Sequence, residues 1–109
     1  MRKGDIYMAD LGEDEGSLQA GLRPVIIVSN DAANEHSPVI TIIPMTTKKK
    51  KRLPTHVYIQ DCGLPRPSLA LAEQITSINK SRMTTKMGSI QQTIYEKQVT
   101  AAIKVQLSM

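Results

Sequence analysis

An arginine-proline pair running straight into Val25-Ile26-Ile27-Val28 sets the first constraint on this chain. Consecutive β-branched residues lose the side-chain freedom a helix asks for, and the run is too short for one, so it reads as a buried strand. Pro24 has no N–H to donate and pushes Arg23 toward extended backbone, which puts the start of the strand at Arg23 with the guanidinium at its mouth. Upstream, Gly16 and Gly21 flank a polar loop that feeds the strand, and Asn30-Asp31 stops it.

A second run, Val39-Ile40-Thr41-Ile42-Ile43-Pro44-Met45, is apolar at odd and even positions alike and predicts a strand covered on both faces. Pro44 cannot donate to a ladder, so pairing is expected to fail there and to expose Thr46 and Thr47. Before these runs lies a strand over 6–9, ended by Asp10-Leu11-Gly12 and the acidic loop Glu13-Asp14-Glu15. Between them, residues 30–38 are rich in turn formers, with room for one helical turn. Downstream, 55–59 alternates as a strand that ends near Asp61-Cys62-Gly63. The stretch after Pro65-Arg66-Pro67 favours a strand ending at Ala72, 77–83 a short helical turn, and 86–89 a last edge strand. From about 92 to 107 the period becomes helical: Tyr95, Val99, Ala102 and Ile103 share a face. Thr93-Ile94-Tyr95-Glu96 fits a capping box, as does the stretch from Ser89 to Gln92. The expected fold class is mainly β, a small, strongly curved sheet or barrel closed by a C-terminal helix.

The chain has 109 residues and reads as one domain over 1–109. A domain of this size buries only about 60–70% of its unfolded surface, so self-association would help it. There is no Phe or Trp and only Tyr7, Tyr58 and Tyr95, which leaves the core to aliphatic residues. No stretch approaches the roughly 18 apolar residues of a membrane span, and Met1-Arg2-Lys3-Gly4-Asp5 lacks a signal-peptide pattern, so no membrane association and a cytoplasmic location are expected. Cys62 is the single cysteine, which excludes an internal disulfide and a multi-cysteine zinc site.

The net charge is +4, yet Lys48, Lys49, Lys50, Lys51 and Arg52 supply five positive charges in a row; taking those five from +4 leaves the remainder at −1. The basicity is therefore one patch. Such a run is most often a solvated loop, and functionally it is an electrostatic funnel for a phosphate backbone.

No phosphate-loop or dinucleotide-binding glycine pattern occurs. His36 and His56 lack metal-ligand spacing, so no metal site and no cofactor are expected, and His56 reads as a structural or surface histidine. Cys62 stands beside Asp61, which opposes thiolate formation. What remains is Arg23 at a strand entrance, Thr46 at a strand exit beside the basic run, and the amides of Asn30 and Gln74. That set suits an anionic phosphate.

Lys3-Gly4-Asp5-Ile6-Tyr7, Gly16-Ser17-Leu18-Gln19-Ala20-Gly21-Leu22-Arg23-Pro24-Val25, Ser29-Asn30-Asp31, Ile43-Pro44-Met45-Thr46-Thr47 and Leu69-Ala70-Leu71-Ala72-Glu73-Gln74-Ile75 resemble, in order and spacing, the MazF/PemK toxins of bacterial toxin–antitoxin systems. The resemblance covers nearly the whole chain. It implies an SH3-like barrel of about six or seven strands with a C-terminal helix, a homodimer, and sequence-selective, metal-independent cleavage of single-stranded RNA such as mRNA. It also implies neutralisation by an antitoxin protein of MazE type. It places Arg23 and Thr46 in the catalytic roles. It gives RNA contacts to Asn30 and Gln74, with Ser17, Gln19, Thr47 and residues Lys48, Lys49, Lys50, Lys51 and Arg52 beside them. Relatives usually carry a glutamate where this chain has Leu18, leaving Glu13 or Glu15 to stand in for it.

The implied reaction is attack by a ribose 2′-hydroxyl on the adjacent phosphate, giving a 2′,3′-cyclic phosphate and a 5′-hydroxyl. A guanidinium matches phosphate geometry as a rigid fork, and a threonine hydroxyl adds one more hydrogen bond to the growing charge. Two noncatalytic readings stand beside it: a gyrase-poisoning toxin of similar barrel fold, and an SH3-like RNA-binding module. Arg23 together with Thr46 favours the enzyme, and the lack of Phe and Trp disfavours a sheet-wide aromatic stacking platform.

Overall fold

The computed structural model describes residues 1–13 and 16–109; Asp14 and Glu15 of the acidic loop lie outside the described residues. The strands are β1 (Asp5–Asp10), β2 (Leu22–Ile27), β3 (Val39–Thr46), β4 (His56–Ile59), β5 (Ser68–Leu71), β6 (Thr76–Asn79) and β7 (Met83–Ser89). The helices are α1 (Asp31–His36) and α2 (Ile94–Leu107), and 3₁₀ turns cover Ala72–Gln74 and Lys80–Arg82. Every strand pair is antiparallel. Neighbours run β4-β5-β3-β2-β1-β7, with β6 also on β3.

The hydrogen-bonded path has two ends, β4 and β7, so the expected barrel is a curved sheet that does not close by a ladder. The ends nevertheless meet. Gly63, in the turn after β4, has φ +90°, and a Cβ there would lie 2.0 Å from the Met87 carbonyl oxygen. A Cβ on Gly88 would lie 2.0 Å from the Cys62 carbonyl oxygen. Only glycine on both sides permits that backbone contact.

β3 is the spine of the sheet. One of its edges pairs β2, and the other pairs β6 at Val39, Ile40, Thr41 and Ile42, then β5 at Met45 and Thr46. Pairing therefore does not fail at Pro44, which faces Val25 on one edge and on the other falls in the gap between two partners. As a result Thr46 lies inside the ladder and is 2% exposed, against the expected exposure; only Thr47 faces solvent.

The two-sided hydrophobicity of β2 and β3 is explained by two cores. Ile6, Ile26 and Ile43 form one cross-strand row and Met45, Ala70 and Val57 another, and this face is covered by Val99 and Ala102 of α2. The opposite face buries Ala9, Val25, Ile27, Ile40, Ile42 and Met83. The expected α2 face is the one that packs: Val99 and Ala102 are buried, with Tyr95 and Ile103 against the same core. Thr93 caps the helix by accepting from Tyr95 N–H at 3.1 Å, while Glu96 reaches back to Gln92 N–H, one residue earlier than a strict capping box; the alternative box at 89–92 is not used.

Further differences have local causes. β2 begins at Leu22, one residue before the expected start at Arg23, and Arg23 is a ladder residue opposite Ala9. Residues 77–83 divide between β6, the Lys80–Arg82 turn and Met83, which opens β7. Thr76-Ser77-Ile78-Asn79 holds one apolar residue and gives no alternation to read; its strand exists because β3 offers it an edge.

Candidate functional site

Tyr58 faces Leu69 across β4 and β5, and Leu69 faces Thr46 across β5 and β3. Residues directly opposite one another in a ladder point to the same side of the sheet. On β2 the register pairs Val25 with Pro44; continued two residues along each strand, it sets Arg23 opposite Thr46, while Arg23 itself faces Ala9 of β1. The ladder itself ends at Val25 and Pro44, and alternation from that pair puts Arg23 and Thr46 on one face of neighbouring strands.

The chemistry of each is set locally. Thr46 Oγ1 accepts from the Lys48 N–H at 3.2 Å. A hydroxyl has one donor and two acceptor positions, so this bond leaves its O–H unused. Arg23 is half-buried and donates Nε to the Ala20 carbonyl at 3.0 Å, which anchors the guanidinium to the end of the loop over 16–21. It is in no ion pair with a described residue.

Thr47, Lys48, Lys49, Lys50, Lys51 and Arg52 are all exposed, in the loop between β3 and β4 where the sequence placed them. A groove of about 260 Å³ is lined by Thr46, Thr47, Lys48, Lys49, Lys50 and Arg52 together with Tyr58, Pro67 and Leu69. Lys51 and Arg23 stand outside this lining.

A larger groove, about 490 Å³, opens on Pro44, two positions from Thr46 and so on the same face of β3. Glu13, Leu18, Gln19 and Gln74 line it. Gln74 Nε2 donates to the Ser17 carbonyl at 3.0 Å, and its Oε1 accepts from the Gln19 N–H at 2.8 Å. Both ends of this carboxamide are engaged with the loop backbone, so Ser17, Gln19 and Gln74 form one unit in which Gln74 positions the loop. Leu18 is 52% exposed on that loop.

Asn30 is not brought to this row. It caps α1, accepting from the Ala33 N–H at 2.9 Å, beyond Ile27 at the end of β2 opposite to Arg23.

Behind the grooves, His56 is buried. Its Nδ1 accepts from the Leu53 N–H at 3.2 Å, which places the ring proton on Nε2, where Glu73 Oε2 receives it at 2.7 Å. Thr55 donates to Glu73 Oε1 at 2.9 Å. Burial pushes the Glu73 carboxyl up, but the hydrogen bonds from His56, its own backbone and Thr55 outweigh that and hold it below the usual range. His56 is thus structural, as its sequence setting suggested. Burial, and then the charge of Asp61, push the Cys62 thiol up, away from the thiolate a nucleophile needs. No three His, Cys, Asp or Glu side chains gather as a metal site among the described residues. No described helix is long and apolar enough to cross a membrane.

Sequence reasoning passed over Tyr58 and Glu73. For Tyr58 the signal was present: the alternation over 55–59 puts positions 56 and 58 on the face opposite to Val57 and Ile59. For Glu73 there was none, because its partners lie 17 and 18 residues away.

Comparison with known proteins matches the same features. A family model described as PemK-like, MazF-like toxin of type II toxin–antitoxin system matches residues 2–107. The chain is 41% identical over 90 residues to Endoribonuclease MazF of Staphylococcus saprophyticus, spanning 80% of this chain and 75% of that one. It is 38% identical over 112 residues to Endoribonuclease EndoA of Bacillus subtilis, spanning 100% and 96%. Among solved structures, a mycobacterial endoribonuclease in complex with its cognate antitoxin superposes with a TM-score of 0.84 at 24% identity, over 100% of this chain and 96% of that one. MazF from Deinococcus radiodurans gives 0.83 at 20%, over 100% and 97%. With an Arg-Pro strand, a threonine on the same sheet face as its arginine and a sheet capped by one terminal helix, the chain belongs to the PemK/MazF family of toxins of type II toxin–antitoxin systems.

Proposed function

We propose that this chain, an endoribonuclease toxin of the MazF type, cleaves single-stranded RNA at selected sequences without a metal ion. The observation that carries the reading is that Arg23 and Thr46 lie on one face of neighbouring strands, each two residues beyond the Val25–Pro44 pair, with Thr46 at the root of a loop with five consecutive cations. In the reaction the ribose 2′-oxygen bonds to the neighbouring phosphorus as the bond to the 5′-oxygen breaks. One proton leaves the 2′-hydroxyl and one reaches the departing oxygen. Charge grows meanwhile on the phosphoryl oxygens, where the terminal nitrogens of Arg23 and the hydroxyl of Thr46 stabilise it. The basic loop collects the strand through its phosphates, and the loop held by Gln74 lies over the groove next to the reacting phosphate.

We further read the chain as a cytoplasmic homodimer neutralised by an antitoxin of MazE type. The family description and the antitoxin named with its structural neighbours support the antitoxin. The deciding experiment is incubation with a long single-stranded RNA and its DNA counterpart in excess EDTA. Discrete RNA fragments ending in 2′,3′-cyclic phosphate and 5′-hydroxyl, with the DNA intact, are expected. Fragments with 5′-phosphate would mean that water is the nucleophile. Intact RNA would leave a binding module, or a gyrase poison if DNA supercoiling stalls instead.

A further inference from the structure

We infer that Tyr58 is a base-stacking residue, its ring receiving the face of a nucleobase of a single-stranded RNA whose phosphates lie along the basic loop. Of the three tyrosines, Tyr7 and Tyr95 pack against the two cores, whereas Tyr58 is 42% exposed between the buried Val57 and Ile59. It stands in the groove that Thr46 lines, beside Pro67 and Leu69. Through the row Tyr58–Leu69–Thr46 its backbone is two strand steps from Thr46, roughly 10 Å at the usual strand spacing. The groove so offers two kinds of wall: cations at the rim, which suit phosphates, and one aromatic face with apolar neighbours, which suits a base near the phosphate held at Thr46. An acidic peptide would satisfy the cations and leave the ring unused. Stacking is tolerant of base identity because every base has a π-face, so this contact adds affinity and positioning and does not choose the sequence.

The choice of ligand rests on the endoribonuclease reading, and the test separates the two. Tyr58→Trp introduces the only tryptophan in the chain. Its emission is titrated with a 2′-O-methylated single-stranded oligonucleotide, which cannot supply the attacking hydroxyl, and with inorganic polyphosphate of equal charge, which has phosphates and no bases. Quenching by the oligonucleotide and none by polyphosphate is expected. In cleavage assays Tyr58→Ala should raise KM by roughly 5- to 150-fold with kcat and melting temperature nearly unchanged, and Tyr58→Phe should restore the wild-type KM. Equal response to both polyanions, no response to the oligonucleotide, or a wild-type KM in Tyr58→Ala would overturn the inference. Base-dependent quenching with a wild-type protein that never cuts RNA would instead sink the nuclease reading and leave stacking standing.

Discussion

Thr46 sits within a ladder, so deleting its hydroxyl and deleting its bulk are different experiments. Thr46→Val keeps the branch that packs and removes the donor; on the proposed mechanism the cleavage rate should fall by about 10²-fold while the melting temperature drops by no more than a few degrees, and Thr46→Ser should retain activity. Arg23→Ala should cost about 10² to 10⁴ in rate, and Arg23→Lys should not rescue it, since an ammonium lacks the planar fork. Full activity in Arg23→Ala would end the mechanism. Glu73 makes a separate, pH-dependent claim. Its carboxyl is depressed in the folded protein, so the folded state binds its proton less readily than the unfolded chain does. The stabilisation is complete above the unfolded value of about 4.3 and disappears as pH falls through the folded value. Melting curves of wild type and Glu73→Gln should converge on acidification from neutral pH to below about 4; a constant gap would show that the carboxylate charge contributes nothing. The identities of Arg23 and Thr46 were legible in the sequence because each sits in a short motif. The burial of Thr46 was not, since it depends on a partner, Leu69, far along the chain.

Among the elements, two loops face the same surface and are held differently. The loop over 16–21 is pinned by a single carboxamide, and Gln74→Ala removes both of its hydrogen bonds. Amide exchange at Gln19 should then rise by about tenfold, with core strands unchanged, the scale of one lost hydrogen bond. An unchanged rate would mean that the loop holds its own shape. Among the described residues the basic loop is held only at its ends, by the Lys48 N–H on Thr46 and by Leu53, whose N–H and carbonyl both bond His56. Neutralising three of its cations should weaken RNA binding and flatten its salt dependence by up to about 0.7 in slope per lost contact, leaving the cleavage motif as it was. An altered motif would show that the loop reads bases. Elements with a strong period, such as α2 and β3, could be read from residues alone. β6 could not, because a polar four-residue strand is defined by the edge it joins.

At the scale of the molecule, the sheet meets itself through Gly63 and Gly88 without a ladder. Gly88→Ala brings a methyl into the Cys62 carbonyl and should destabilise the fold by about 1–3 kcal/mol, read as a lowered denaturation midpoint; Thr85→Ala, at an exposed position of the same strand, should not approach that loss. A curved sheet or barrel was expected from several short strands and a terminal helix, whereas the place where the sheet meets itself was not, since it is decided by two backbones that only the folded chain brings together. The helix has a further consequence. Ala72, which opens the turn carrying Glu73 and Gln74, is in the core that Val99 and Ala102 of α2 complete, so the wall of the larger groove leans on the latest-made of the described elements. Chains emerge from the ribosome in order and fold as they emerge. A nascent copy therefore carries its arginine and threonine well before it carries a finished cleft.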